Sequence, residues 1–156
     1  MQKFSYISNC YASSFVSGGY YVGGLCGDNF RGVGIKSCYS IGVVTGSGSA
    51  VSGFCGSSGY EVINNCFWDM QTSGMSSGVG SGGTTGVTGL NTVDMQSLSA
   101  FTAAGWDFSG AGGDEADWQM PSGWYPALAW ENVILDFQVP DLVGMPQGQA
   151  EAYLQN

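Results

Sequence analysis

The sequence predicts an all-β fold: a short parallel β-helix, or solenoid, of right-handed sense, with about three rungs and a mixed C-terminal cap containing one short helix. Three observations predict it. The chain of 156 residues contains 27 glycines but only 10% charged residues, a composition typical of all-β proteins with many tight turns. One short string recurs at a constant spacing. Each repeat also holds apolar runs of strand length, separated by Gly, Ser or Asn.

The repeat consists of an isoleucine followed three residues later by a cysteine, and it recurs at two successive offsets of 28 residues. The matching pairs are Ile7 with Cys10, Ile35 with Cys38, and Ile63 with Cys66. In adjacent rungs of a parallel β-helix, equivalent positions stack at a spacing of about 4.8 Å. We therefore predict that these residues form a ladder through the core.

A second string extends the predicted ladder. Residues 22–27 match residues 51–56 at an offset of 29, which pairs Leu25 with Phe54 and Cys26 with Cys55. Two other repeat folds are excluded, the first by the length of the period and the second by its residue pattern. A β-propeller blade needs about 40 residues, and the leucine and asparagine spacing of a leucine-rich repeat is absent.

The chain divides into three segments of different character. Residues 4–70 contain the repeats, and residues 71–137 combine a Gly/Ser-rich loop with a Trp-rich cap. Residues 138–156 look like the start of a further domain that is incomplete here. The loop is predicted over 71–88, where Gly, Ser and Thr dominate.

The cap is predicted to contain one short helix. Asn91 is a favourable N-cap residue, and Met95, Leu98 and Phe101 then fall on one helical face before Gly105 ends the pattern. Three aromatic-rich strings are predicted as strands that close the end of the solenoid. They lie at 106–108, 118–120 and 124–130.

The tryptophans of the cap allow two interpretations. Trp106, Trp118, Trp124 and Trp130 either pack as the core of the cap or line a platform for carbohydrate. Packing is the favoured interpretation, because aromatic residues beside Pro and Gly in a closing segment usually belong to the core.

The charge of the chain excludes several classes of partner. Three basic residues stand against twelve acidic ones, for a net charge of −9. No patch is therefore available to neutralise a nucleic-acid backbone or to dock on anionic lipid. No apolar run reaches the roughly 18 residues of a membrane-spanning helix, and none follows Lys3 as the core of a signal peptide. We expect no membrane insertion, an export signal outside this chain, and Met1 to be an internal methionine or a truncation point.

Catalytic chemistry is not predicted. The chain has no histidine, so neither a Ser-His-Asp relay nor a histidine-based metal site can form from its residues. Asp28, Glu61 and Asp69 lie at dissimilar points of their repeats, which does not indicate a shared acidic cleft. We interpret these carboxylates as structural or solvated.

Two other groups of residues carry side chains that can bind a ligand. The string with Asp114, Glu115 and Asp117 could bind a cation weakly, but its spacing matches no EF-hand, and an exposed loop is favoured. The five cysteines contain no Cys-x-x-Cys spacing for zinc. Stacked thiols with parallel Cα–Cβ bonds are poorly placed for disulfides, so they are interpreted as small apolar groups. No metal and no cofactor is predicted.

The repeats resemble a known family. The strings Gly-Gly-Leu-Cys-Gly at 23–27 and Ser-Gly-Phe-Cys-Gly at 52–56, with Ser-Cys-Tyr-Ser and Gly-Val-Val-Thr-Gly between them, are similar to GLUG repeats of bacterial surface proteins. Phe54 stands where the motif has leucine, and Ser52 where it has its first glycine. Such repeats occur in IgA-specific metalloendopeptidases, adhesin-like proteins and large exoproteins. The resemblance implies a β-helical stalk rather than a catalytic site.

The end of the chain resembles a second family. The string at 139–154 is similar to the first strand and helix start of a PASTA domain. That family is associated with peptidoglycan-sensing kinases, penicillin-binding proteins and other exported proteins. Only about the first quarter of such a domain is present, so the resemblance implies a cell-envelope context and no more.

These observations lead to one functional expectation and one alternative. We expect a non-catalytic structural or adhesive repeat module of an exported bacterial protein, located outside the cell or on its surface. Its partner would be a surface ligand such as a glycan or a host or cell-wall component. The alternative is a carbohydrate-binding or carbohydrate-active β-helix module, which clustered carboxylates beside exposed aromatic residues would favour.

Overall fold

The computed structural model describes residues 5–29, 33–59, 62–110 and 115–131. Short strands dominate, and most of them pair in parallel, so the prediction of an all-β fold is confirmed. In chain order the strands are β1 (Ser5–Ala12), β2 (Val16–Gly18), β3 (Val22–Gly23), β4 (Cys26–Asn29), β5 (Val33–Ser40), β6 (Val44–Gly46), β7 (Val51–Ser52), β8 (Cys55–Ser58), β9 (Ile63–Asn64), β10 (Cys66–Asp69), β11 (Val79–Gly82), β12 (Val87–Leu90), β13 (Trp118–Gln119) and β14 (Ala127–Leu128). The helices are α1 (Met70–Ser73), α2 (Thr92–Met95) and α3 (Leu98–Ala103), with a 3₁₀ turn at Ala129–Glu131.

Equivalent strands of successive repeats lie side by side. Sheet I has the order β1-β5-β10-β12, with β9 also on β5, and sheet II has the order β4-β8-β11. The pairs β2-β6 and β3-β7 connect the same repeats. In sheet I, Cys10 lies opposite Cys38, and Tyr39 opposite Phe67 one position further on. In sheet II, Cys26 lies opposite Cys55.

The inner core contains buried residues from both large sheets. Ile35 and Cys38 of sheet I and Cys55 of sheet II belong to one buried cluster with Phe54. Trp68 also lies in this core, at the position that Ser40 holds one repeat earlier. A Cβ at Gly53 or Gly78 would clash with the Trp68 indole, so these glycines leave the space that the ring fills.

A left-handed residue recurs at the same point of every repeat. Asn9, Ser37 and Asn65 have φ angles of 52°, 51° and 52°. On a regular strand, residues three positions apart face opposite sides. The left-handed residue resets this alternation, so Ile35 and Cys38 both reach the inner core.

The opposite face of sheet I carries a second core. Tyr11 and Tyr39 stack there with ring centroids 5.1 Å apart, and Phe67 continues the column. The C-terminal segment, residues 91–110 and 115–131, covers this column with Phe101, Trp106, Trp118 and Tyr125. The segment predicted as a cap therefore packs on the face of sheet I. Burial of the apolar surface of the aromatic column stabilises this arrangement.

The loop predicted over 71–88 is wrong. This region contains α1, β11 and β12, and it continues both sheets with shorter connections. Val79 lies opposite Cys55, and Val87 opposite Cys66. Stacking requires only that strand positions match, so a shortened repeat can still pair. The available signal was an apolar residue followed by glycine: Val79-Gly80 takes the place that Cys55-Gly56 has one repeat earlier.

The prediction of one helix in the cap is also wrong. The chain forms two short helices after Asn91, because Ser97 is extended (φ −109°, ψ 119°) and interrupts the helical pattern. Asn91 does precede α2, although its side chain makes no capping hydrogen bond. Met95 and Phe101 are buried, whereas Leu98 is 46% exposed.

The aromatic strings are only partly strands. Trp118–Gln119 and Ala127–Leu128 form a short antiparallel pair. Residues 106–108 are not a strand, because the Asp107 carboxylate accepts hydrogen bonds from the backbone N–H groups of Ser109 and Gly110 and turns the chain.

We predict that the left-handed corner is costly to alter with a branched side chain. Asn65→Val should lower the free energy of unfolding by about 1–2 kcal/mol, because only Asn, Asp and Gly tolerate this conformation well. Asn65→Gly is the matched control and should lie within about 0.5 kcal/mol of the wild type. Urea unfolding followed by tryptophan fluorescence measures both. Equal effects of the two substitutions would contradict the role of the backbone angle.

Candidate functional site

The ten residues of the predicted ladder lie at different depths. Those of the second and third repeats are the deepest: Ile35, Ile63, Cys38, Cys66, Phe54 and Cys55 are all buried. Cys10, Leu25 and Cys26, from the first repeat, are partly buried against the same cluster. Ile7 is 41% exposed.

All five cysteines are free thiols. Their side chains lie close to backbone carbonyl groups, with Cys38 Sγ 3.2 Å from the carbonyl oxygen of Lys36 and Cys66 Sγ 3.2 Å from that of Asn64. Within the described ranges, no group of three or more Cys, Asp or Glu side chains is arranged to hold a metal ion. These contacts fit thiols that fill the interior.

Cys26 and Cys55, which lie opposite each other in sheet II, have different electrostatic environments. A hydrogen bond from Cys55 lowers the pKa of Cys26 to about 7. The same hydrogen bond, together with burial, raises the pKa of Cys55. If one of the two ionises, it is therefore the more accessible Cys26.

Asp69 is a fully buried carboxylate that joins four parts of the chain. Its Oδ1 accepts hydrogen bonds from the backbone N–H groups of Gln71 (2.8 Å) and Thr72 (3.0 Å), which caps α1. Its Oδ2 accepts from the hydroxyls of Thr92 (2.8 Å) and Tyr125 (2.7 Å). Because both oxygens are occupied by donors of the protein, Asp69 acts here as a structural link between sheet I and the C-terminal segment.

The carboxylate of Asp28 lies apart from Asp69. Asp28 is exposed on β4, opposite Ser57. Glu61 and Asp114 lie outside the described residues, as does the segment 138–156. Among the described carboxylates, Asp28 and Asp69 therefore occupy separate places.

A surface cleft lies where the C-terminal segment meets the first repeat. It has a volume of about 570 Å³, and Asn9, Glu115, Asp117 and Trp130 line it together with Leu128. Trp130 is 75% exposed. The Asn9 amide oxygen accepts a hydrogen bond of 3.3 Å from Trp118 Nε1, and this bond orients the Asn9 side chain. The cleft thus combines an exposed indole with carboxylate and amide groups.

The sequence did not indicate Asn9 as part of this cleft. It comes from the first repeat, more than a hundred positions from Trp130, and only the folding back of the C-terminal segment brings the two together. Of the four cap tryptophans, Trp106 and Trp118 are buried in the outer core, whereas Trp124 and Trp130 are exposed. Trp106 and Trp118 therefore fit the interpretation that the tryptophans pack in the core. Only Trp124 and Trp130 are exposed enough to line a platform for carbohydrate.

Comparisons with protein-family models, with curated proteins and with solved structures found no match for this chain. In the part of the chain that the structure describes, no helix is both long and apolar enough to span a membrane.

We predict that the Tyr125–Asp69 hydrogen bond makes stability depend on pH in the alkaline range. Burial and then the bond to Asp69 raise the pKa of Tyr125 to about 12, from an ordinary value of 10. The fold thus favours the neutral phenol, and its contribution is complete below pH 10 and is lost as the pH rises towards 12. Tyr125→Phe should cost about 1 kcal/mol at pH 7, and this difference from the wild type should shrink between pH 10 and 12.

Urea unfolding at several pH values measures this difference. Tyr20→Phe is the control, because Tyr20 is 78% exposed, and it should match the wild type throughout. If the difference in unfolding free energy between Tyr125→Phe and the wild type stayed constant up to pH 12, folding would not raise the pKa of Tyr125.

Proposed function

We propose that this chain is a non-catalytic structural and adhesive module of an exported bacterial surface protein. In this proposal its GLUG-type repeats form a short β-solenoid that spaces or presents other parts of that protein. The observation that carries the proposal is the parallel, in-register pairing of equivalent residues, such as Cys10 with Cys38 and Cys26 with Cys55.

The strand arrangement supports the solenoid. Each of the first two repeats contributes one strand to sheet I, one to sheet II and one to each of the two small sheets. A chain that visits the same sheets in the same order in each repeat winds around a common axis. Residues of sheets I and II meet in one inner core, as opposite walls of a coil would.

The distribution of chemical groups supports a non-catalytic role. The interior of the repeats holds apolar side chains and thiols, and the buried Asp69 is fully hydrogen-bonded by protein donors. The surface strands β2 and β6 present small uncharged side chains such as Ser17 and Thr45. An uncharged surface of small side chains suits a spacer or an adhesive face more than a reaction site.

Surface display tests this function. Displayed on a non-adherent bacterium, the chain should increase attachment to immobilised glycans or matrix proteins without degrading them. Ile35→Asp, which places a charge in the core, is the unfolded control and should abolish attachment. Release of reducing sugars from a polysaccharide panel, or no gain in attachment, would contradict the proposal.

The surface cleft favours carbohydrate binding as a second candidate function. Indole rings stack on the apolar faces of sugars, and carboxylate and amide groups hydrogen-bond to hydroxyls. Trp130, Asn9, Glu115 and Asp117 supply these groups around one cleft. The net charge of −9 disfavours acidic glycans, so the ligand of this candidate is a neutral or amine-bearing sugar.

A glycan array with two matched variants tests the cleft. Trp130→Ala should reduce binding to the recognised glycan by at least about tenfold, a loss typical of a binding hot spot. Trp124→Ala is the control, because Trp124 is exposed but does not line the cleft. Equal losses in the two variants, or no bound glycan, would contradict this candidate.

A further inference from the structure

The first repeat, residues 5–29, leaves one side of its strands unpaired within the described residues. In these ranges β1 pairs only with β5, and β4 only with β8. The side chains follow the same pattern: Ile7 is 41% exposed, whereas Ile35 and Ile63 at the equivalent positions are 1% and 3% exposed. The inner core is thus open at this edge, which we call the free edge.

The free edge has few of the features that block strand addition. Charged side chains, proline and short strands normally protect an exposed edge. Residues 5–29 contain no proline, and Asp28 is their single charged residue. The strand β1 is eight residues long.

The opposite edge of the stack is different. There β11 and β12 have four residues each, and Gly82 at the end of β11 and Gly86 just before β12 have φ angles of 96° and 83°. The helix α2 follows β12 directly, and its first residue, Thr92, donates hydrogen bonds to the side chains of Gln71 and Asp69. In sheet I the short strand β12 and the helix therefore protect this edge, whereas β1 at the free edge has eight residues and no such cover; in sheet II the two edge strands, β4 and β11, are equally short.

The structure also shows what covers this side of a repeat. The first repeat covers the same side of the second, and there the strands run in parallel, with Ile7 opposite Ile35 and Cys10 opposite Cys38. Because the first repeat has the same residues at these positions, the surface it presents on its own free side accepts the same kind of neighbour.

We propose that the free edge docks one further repeat of this type, running parallel to β1 and β4, with an isoleucine over Ile7 and a cysteine or similar small residue over Cys10 and Cys26. The inference rests on the proposed solenoid, and it states what kind of partner binds at the free edge. The occupant is an uncharged strand-forming segment with a 28-residue register, matching the offset between the first two repeats.

An added repeat tests this inference. A copy of residues 33–60 is joined directly before Ser5 of the otherwise complete chain, which places the isoleucine of the copy 28 positions before Ile7. Hydrogen exchange read by mass spectrometry compares β1 and β4 in this protein and in the native chain. We expect exchange in both strands to slow by at least about tenfold, as happens when unpaired edge amides become hydrogen-bonded.

The matched control carries the same copy with Ile35→Asp and Cys38→Asp in the copy alone, and it should leave exchange in β1 unchanged. Alkylation of Cys10, which is half-buried, should slow only with the unaltered copy, while the buried Cys38 of the native repeat serves as the internal reference.

The outcomes separate this inference from the proposed function. Unprotected β1 beside protected β5 and β10 in the extended protein would overturn the docking surface and leave the solenoid in place. A native chain that is dimeric in light scattering, with β1 already protected, would also overturn it, because a second copy would then be the occupant. Lack of protection in β5 and β10 would instead overturn the solenoid itself.

Discussion

Parallel pairing of equivalent residues is the constraint from which most of this structure follows. Because Cys38 lies beside Cys10, and Ile63 beside Ile35, a position that faces the core in one repeat must face it in the next. The connections between strands are less constrained. The connection before Val51 is one residue longer than the connection before Val22, and the repeat that contains Val79 has shorter connections. The strands nevertheless remain paired. Identical small or branched side chains at stacked positions are what this geometry selects.

The two-faced character of sheet I organises the rest of the chain. The left-handed corner at Asn9, Ser37 and Asn65 directs cysteines inward and aromatic rings outward. The aromatic column would be exposed if it were not covered by the C-terminal segment. Buried polar contacts then fix that segment in place: Asp69 binds Thr92 and Tyr125, and Trp106 Nε1 donates to the Asn65 carbonyl at 2.8 Å. Sequence-distant parts of the chain thereby become one folded unit.

The cleft and the free edge lie where these two layers end. The inner core contains the thiols, and the outer core contains most of the aromatic side chains. The cleft beside Trp130 forms because the covering segment reaches back to Asn9. The free edge exists because, among the described residues, the first repeat has one neighbouring repeat where the second has two. Both features are consequences of how the repeats stack and how they are covered.

The sequence by itself determined the repeat, because stacking in register requires the same residue types at the same spacing. The ladder of isoleucines and cysteines, the all-β class and the separation of Asp28 from Asp69 could therefore be read from spacing alone. The short repeat containing Val79 and Val87 could not, because its connections break the period while its strands keep the register. The tertiary structure alone decided that the tryptophan-rich segment covers a sheet face, that Asp69 links it to the repeats, and that Asn9 meets Trp130. These contacts join residues far apart in sequence, and long-range packing of this kind leaves no periodic trace in the chain.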